Sequence, residues 1–62
     1  MKLRDLERHL MAHGAELGRE GSNHSIWRHE EATSAVPRHR EIKTSMARAI
    51  CRQLGVPDPP SR

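Results

Sequence analysis

The chain has 62 residues, 34% of them hydrophobic, with one Trp and no Phe or Tyr, so it fits one small domain with a core of few aliphatic side chains. A single cysteine excludes an internal disulfide. No apolar run is long enough for a membrane span, and the start shows no signal-peptide core. Eleven Lys and Arg against eight Asp and Glu give a net charge of +3, a balance that suits anionic partners such as nucleic acid.

Small scaffolds usually need a staple, and without a disulfide a partner chain is the natural one. Arginine outnumbers lysine among the cations, and its planar fork donates two hydrogen bonds to one phosphate. The lone cysteine is compatible with a reducing compartment, and together these features point to the cytoplasm.

Leu3 to His13 reads as a helix. Leu3, Leu6 and Leu10 form one apolar stripe, Asp5 and Glu7 sit near its positive end, and His9 and His13 lie towards its negative end. Gly14 then supplies a left-handed cap. Ala15 to Arg19 is a strand candidate whose only large apolar residue is Leu17. Gly18 and Gly21 bracket a turn. Asn23 to His29 is a better strand: His24, Ile26 and Arg28 fall on one face, and Ser25, Trp27 and His29 on the other.

Glu30-Glu31 reads as a hairpin turn and Thr33 to Val36 as a third strand, ended by Pro37. Arg38 to Lys43 is a charged loop. A second helix covers Thr44 to Leu54, capped by Thr44 or Ser45. Its buried stripe is Ala47, Ile50, Cys51 and Leu54, and Gly55 ends it. One domain therefore occupies residues 1–56, and the Pro-rich tail 57–62 is expected to be disordered.

The order α-β-β-β-α defines a small α+β fold: a three-stranded antiparallel sheet with both helices on one face, the architecture of double-stranded-RNA-binding domains. His9 and His13 share a helix face, but the glutamate of the zinc-protease motif is missing, residue 10 being Leu, and no compact third ligand is present, so no metal site is expected. Cys51 lies on the apolar stripe and reads as core. His24 differs. It follows a glycine turn, sits opposite Trp27, and shares its face with Arg28; a histidine with an ordinary pKa exchanges protons near neutrality.

Four segments in register resemble the HicA toxins of bacterial and archaeal toxin–antitoxin pairs, over about residues 3 to 56. They are Gly21-Ser22-Asn23-His24-Ser25-Ile26-Trp27-Arg28-His29, Val36-Pro37-Arg38-His39, Glu41-Ile42-Lys43, and Ala49 to Val56. The resemblance implies a ribosome-independent mRNA endoribonuclease without a cofactor, inhibited by a HicB-type antitoxin that covers its active site in a hetero-oligomer. It implies that His24, three residues before Trp27, is the catalytic histidine, and it matches His29 to a histidine often found five residues on.

Asn23 departs from the pattern by separating Gly21-Ser22 from the histidine. Counting from the glycine would place the catalytic position at Asn23, whose amide cannot transfer protons near neutrality; counting back from Trp27 selects His24. In this reading Gly21 and Ser22 offer backbone N–H groups to a phosphate, and Arg28, Arg38 and Lys43 position the RNA. His39 is the one further histidine in a motif-like setting. The rival readings are a non-catalytic module for double-stranded or structured RNA and an interaction protein whose basic face meets an acidic partner.

Overall fold

Helix, three strands and helix follow one another as the periodicities predict. The structure, a computed structural model, describes residues 1–60. It contains α1 (Leu3–Ala12), β1 (Glu16–Glu20), β2 (His24–His29), β3 (Ala32–Pro37) and α2 (Thr44–Leu54). The strands form one antiparallel sheet in the order β1-β2-β3.

Leu6 and Leu10 of α1 are buried together with Ala47, Ile50, Cys51 and Leu54 of α2, the stripes set out by helical spacing. Trp27 of β2 and Val36 of β3 complete the same core, so both helices lie against the Trp27 face. The Nε1–H of Trp27 is buried without a hydrogen-bond partner among the described residues.

Both helices close in the same way. Gly14 N–H donates to Met11 O at 3.1 Å and Ala15 N–H to Leu10 O at 2.9 Å; Gly55 N–H donates to Arg52 O at 3.1 Å and Val56 N–H to Cys51 O at 2.9 Å. These are Schellman motifs, with Gly14 at φ 94° and Gly55 at φ 74°. The first motif explains why β1 starts one residue later than expected: Ala15 is buried as the closing residue of α1. At Gly55 a methyl group would meet nothing within 4 Å, so Gly55→Ala tests the backbone alone. It is expected to cost about 1–2 kcal/mol, read as a lower urea midpoint at unchanged slope.

The expected side-chain cap of α2 is corrected. Lys43 occupies the N-cap, no side chain bonds there, and the first turn closes through Ala47 N–H to Lys43 O at 2.9 Å. Thr44 and Ser45 are already helical, which leaves their hydroxyls past the capping position.

β1 is an exposed edge strand, and its pairing with β2 slips between Leu17 and Arg19, leaving Gly18 in a bulge. β3 is longer than the expected Thr33 to Val36. The Glu30-Glu31 turn, with Glu30 at φ 56°, lets Ala32 pair with His29. At the other end Pro37 pairs with His24. Arg38 N–H donates to Asn23 O at 3.1 Å, so by ladder alternation the His24–Pro37 pair is one that exchanges no backbone bonds and needs no N–H from proline.

The charged segment after Pro37 is pinned rather than loose. Leu3 N–H donates to Arg40 O at 2.9 Å, Ile42 N–H to Met1 O at 2.8 Å, and Lys2 bridges Glu41, while Ile42 is buried. Of the tail expected to be disordered over 57–62, residues 61 and 62 lie outside the described residues. Residues 57–60 form no helix or strand, but Pro59 is buried, His9 Nε2–H donates to Pro57 O at 2.8 Å, and Arg52 pairs with Asp58 at 3.6 Å.

Candidate active site

The β1–β2 hairpin is closed by Gly21 N–H donating to His24 O at 2.7 Å, with Ser22 and Asn23 at its tip. A Cβ on residue 21 would stand 3.0 Å from that carbonyl, a tight contact that would push the hairpin backbone apart by a few tenths of an ångström, so glycine suits this close approach. The same bond corrects one expectation. The Gly21 N–H is used inside the hairpin and is not free for a phosphate; Ser22, exposed at the tip, remains accessible.

His24 opens β2 on the face opposite the buried Ser25 and Trp27, and it is exposed. Asn23 is taken up in the tip, so the extra residue does not rotate the histidine into the core. Among the described residues no side chain or carbonyl bonds the His24 imidazole, leaving both nitrogens open to a ligand.

Arg38 braces the hairpin. Its backbone N–H holds Asn23 O, and its Nη1 donates to Gly21 O at 3.0 Å, which brings the guanidinium to the His24 end of the sheet with other N–H groups still available. Arg28 shares the His24 face but is paired with Glu16 at 3.0 Å, both side chains being exposed. Such a pair is worth at most about 1 kcal/mol, so a phosphate can displace the carboxylate. Lys43 is exposed at the start of α2, and no hydrogen bond or ion pair among the described residues joins it to the hairpin.

The other histidines are set elsewhere. His29 is half-buried on the helix side; its Nδ1–H donates to Leu54 O at 2.7 Å, satisfying a carbonyl at the end of α2. Five residue steps of strand separate it from His24, roughly 17 Å. His9 and His13 have ring centroids 4.6 Å apart, with His9 engaged by Pro57. His39 is exposed in the segment after β3. Among the described residues no three His, Cys, Asp or Glu side chains gather where they could hold a metal ion.

Cys51 is fully buried. Burial pushes its thiol pKa above the ordinary range, and the Asp58 carboxylate adds to the shift. The folded protein is therefore expected to resist iodoacetamide at neutral pH and to react promptly once urea unfolds it; fast alkylation of the native form would contradict this. The sign for stability follows. The unfolded thiol ionises first as pH rises, so the contribution is intact at neutrality and declines above the ordinary thiol pKa.

Sequence reading missed one basic group: Lys2, Arg4 and Arg40 line a common depression. No local signal marks it, because the pairing of residues 1–3 with 40–42 is what assembles it.

A family model described as the HicA toxin of bacterial toxin–antitoxin pairs matches residues 3–56. The chain belongs to the HicA toxin family. It is thus the toxin of a toxin–antitoxin pair, and its partner is an antitoxin. No curated protein and no solved structure gives a significant match. The HicA-family span runs from the first residue of α1 to Val56, the residue that closes α2, and includes the whole His24 hairpin. Among the described residues, no helix of this HicA-family toxin is long and apolar enough to cross a membrane.

Proposed function

We propose that this toxin is a metal-independent mRNA endoribonuclease that uses His24 as its acid–base group, acts in the cytoplasm, and is silenced by a HicB-type antitoxin covering the open face of the sheet. The observation that carries the reading is the exposed, unengaged His24 imidazole on the open face, at a hairpin whose Gly21 carbonyl accepts a hydrogen bond from the Arg38 guanidinium.

RNA brings its own nucleophile. The 2′-oxygen attacks the adjacent phosphorus, the bond from phosphorus to the 5′-oxygen breaks, and the products are a 2′,3′-cyclic phosphate and a 5′-hydroxyl. One proton leaves the 2′-hydroxyl and one reaches the departing 5′-oxygen. His24 moves the proton at one of these two atoms, and solvent water exchanges the other. Arg38 and, after release from Glu16, Arg28 balance charge on the phosphate oxygens, Ser22 lies beside the same group, and Lys43 steers more distant phosphates.

The test is incubation of purified toxin with RNA in excess EDTA, followed by end-group analysis. Fragments ending in 2′,3′-cyclic phosphate and 5′-hydroxyl support the reading. Intact RNA at high protein excess overturns it in favour of a binding module.

A further inference from the structure

Beside the His24 hairpin the molecule carries cations that the catalytic reading does not use. A depression of about 600 Å³ is lined by Lys2, Leu3, Arg4, Glu7 and Arg40. It exists because the chain start pairs with the segment after β3: Leu3 N–H donates to Arg40 O, and Lys2 bridges Glu41. Lys2, Arg4 and Arg40 are exposed, and none has an ion-pair partner within 4.0 Å among the described residues, a condition shared by Arg19, Arg38, Lys43 and Arg48 but not by Arg8, Arg28 and Arg52, which are each paired; what sets the three apart is that they line one depression. Glu7 is the one acidic group in the lining, set against three cations.

The depression is also within reach of the candidate active site. Pro37 is paired with His24, Arg38 bonds Gly21 O, and Arg40 lies two residues further on. The backbone from Pro37 to Arg40 spans at most about 10 Å. The paired strands add about 4.5 Å. An RNA strand with one phosphate at His24 on the open face that rounds the end of the sheet past Arg38 reaches Arg40 and, with it, Arg4 and Lys2 at the start of α1 on the helix side. Guanidinium forks left without carboxylate partners suit phosphate oxygens.

We propose that the depression lined by Lys2, Arg4 and Arg40 is a subsite for RNA phosphates flanking the one at His24, so that the toxin grips the strand beyond the point of cleavage. This rests on the reading of the chain as an RNA-cleaving toxin. The subsite tracks the backbone and carries no base preference, since its charged groups read phosphates.

The test uses the full chain and a short synthetic single-stranded RNA, 2′-O-methylated so that it cannot be cut, with the dissociation constant measured across a salt series. Arg4→Gln and Arg40→Gln are each expected to flatten the dependence of log Kd on log salt by about 0.7, one phosphate contact apiece. Arg40→Lys keeps the point charge and is expected to restore the slope. Arg52→Gln removes the same charge beside the His29 turn, at the opposite end of β2, and is expected to leave the slope unchanged. Wild-type slopes in Arg4→Gln and Arg40→Gln overturn the subsite, as does an equal loss in Arg52→Gln. So does a result in which the two variants keep RNA binding but lose an acidic protein partner. Because the probe is uncleavable, failure of the subsite is distinct from failure of the endoribonuclease reading, which the EDTA assay reports separately.

Discussion

His24→Ala removes about 10²- to 10⁴-fold of RNA cleavage, and with it growth inhibition, while the fold stays in place: this is the expected result for a toxin that works by proton transfer from that ring. The separation of activity from stability follows from the position. His24 is exposed at the first residue of β2, its imidazole bonds nothing among the described residues, and its backbone contacts to Gly21 and β3 survive truncation. Circular dichroism and the urea midpoint should match wild type while the cleavage rate collapses. Asn23→Ala is the matched control, since residue 23 is the other position that counting from the glycine would select. Undiminished cleavage by His24→Ala, with metal chelated, would remove His24 from the mechanism. Loss in Asn23→Ala alone would move the chemistry to the hairpin tip.

The second large effect is on stability. Trp27→Ala is expected to cost about 3–5 kcal/mol, because it empties the largest volume in a core otherwise made of aliphatic side chains and Cys51. At roughly 0.05–0.15 kcal/mol per residue, a chain of this size has only about 3–9 kcal/mol in total, so most of the fold's margin goes. Trp27→Phe should fare much better. It retains an aromatic ring at the same place and removes the buried Nε1–H that lacks a partner, a group whose desolvation costs about 1–3 kcal/mol. Urea titration followed by circular dichroism separates the two variants. Equal instability in both would show that the indole N–H finds a partner in solution and that its burial is not a liability.

These two residues also show how far local sequence carries. Alternation along β2 assigns His24 and Trp27 to opposite faces, and the structure places them so, because side-chain direction in a strand depends only on parity once the strand exists. The apolar stripes of both helices and their glycine caps were legible for a similar reason: helical period and a positive φ at C′ are properties of a few consecutive residues. Less was legible at the element ends. Ala15 looked like strand and is the closing residue of α1. Lys43, not Thr44 or Ser45, takes the N-cap of α2. Ends are set by competition between neighbouring hydrogen-bond patterns, which single residues do not decide.

The candidate site divides along the same line. His24, Gly21 and Ser22 are adjacent in sequence, so one hairpin brings them together. Arg38 joins them through a long return of β3, and a Val-Pro-Arg-His segment was enough to single it out. Arg28 was singled out as a phosphate ligand, yet the partner it meets is Glu16, on a strand whose register slips at Gly18. Lys2, Arg4 and Arg40 belong to no local motif, because they meet only through the pairing of residues 1–3 with 40–42.

Local pattern sufficed for the element order, the two helix stripes, the faces of β2 and the isolation of His24, since each depends on residues a few positions apart. Tertiary structure alone decided which cations among the described residues are ion-paired, that His29 bonds the end of α2, and that the chain start and the segment after β3 form one basic depression. Those outcomes rest on pairing between residues as much as 41 positions apart. Such long-range contacts are chosen by the folded core as a whole, and no local pattern carries them.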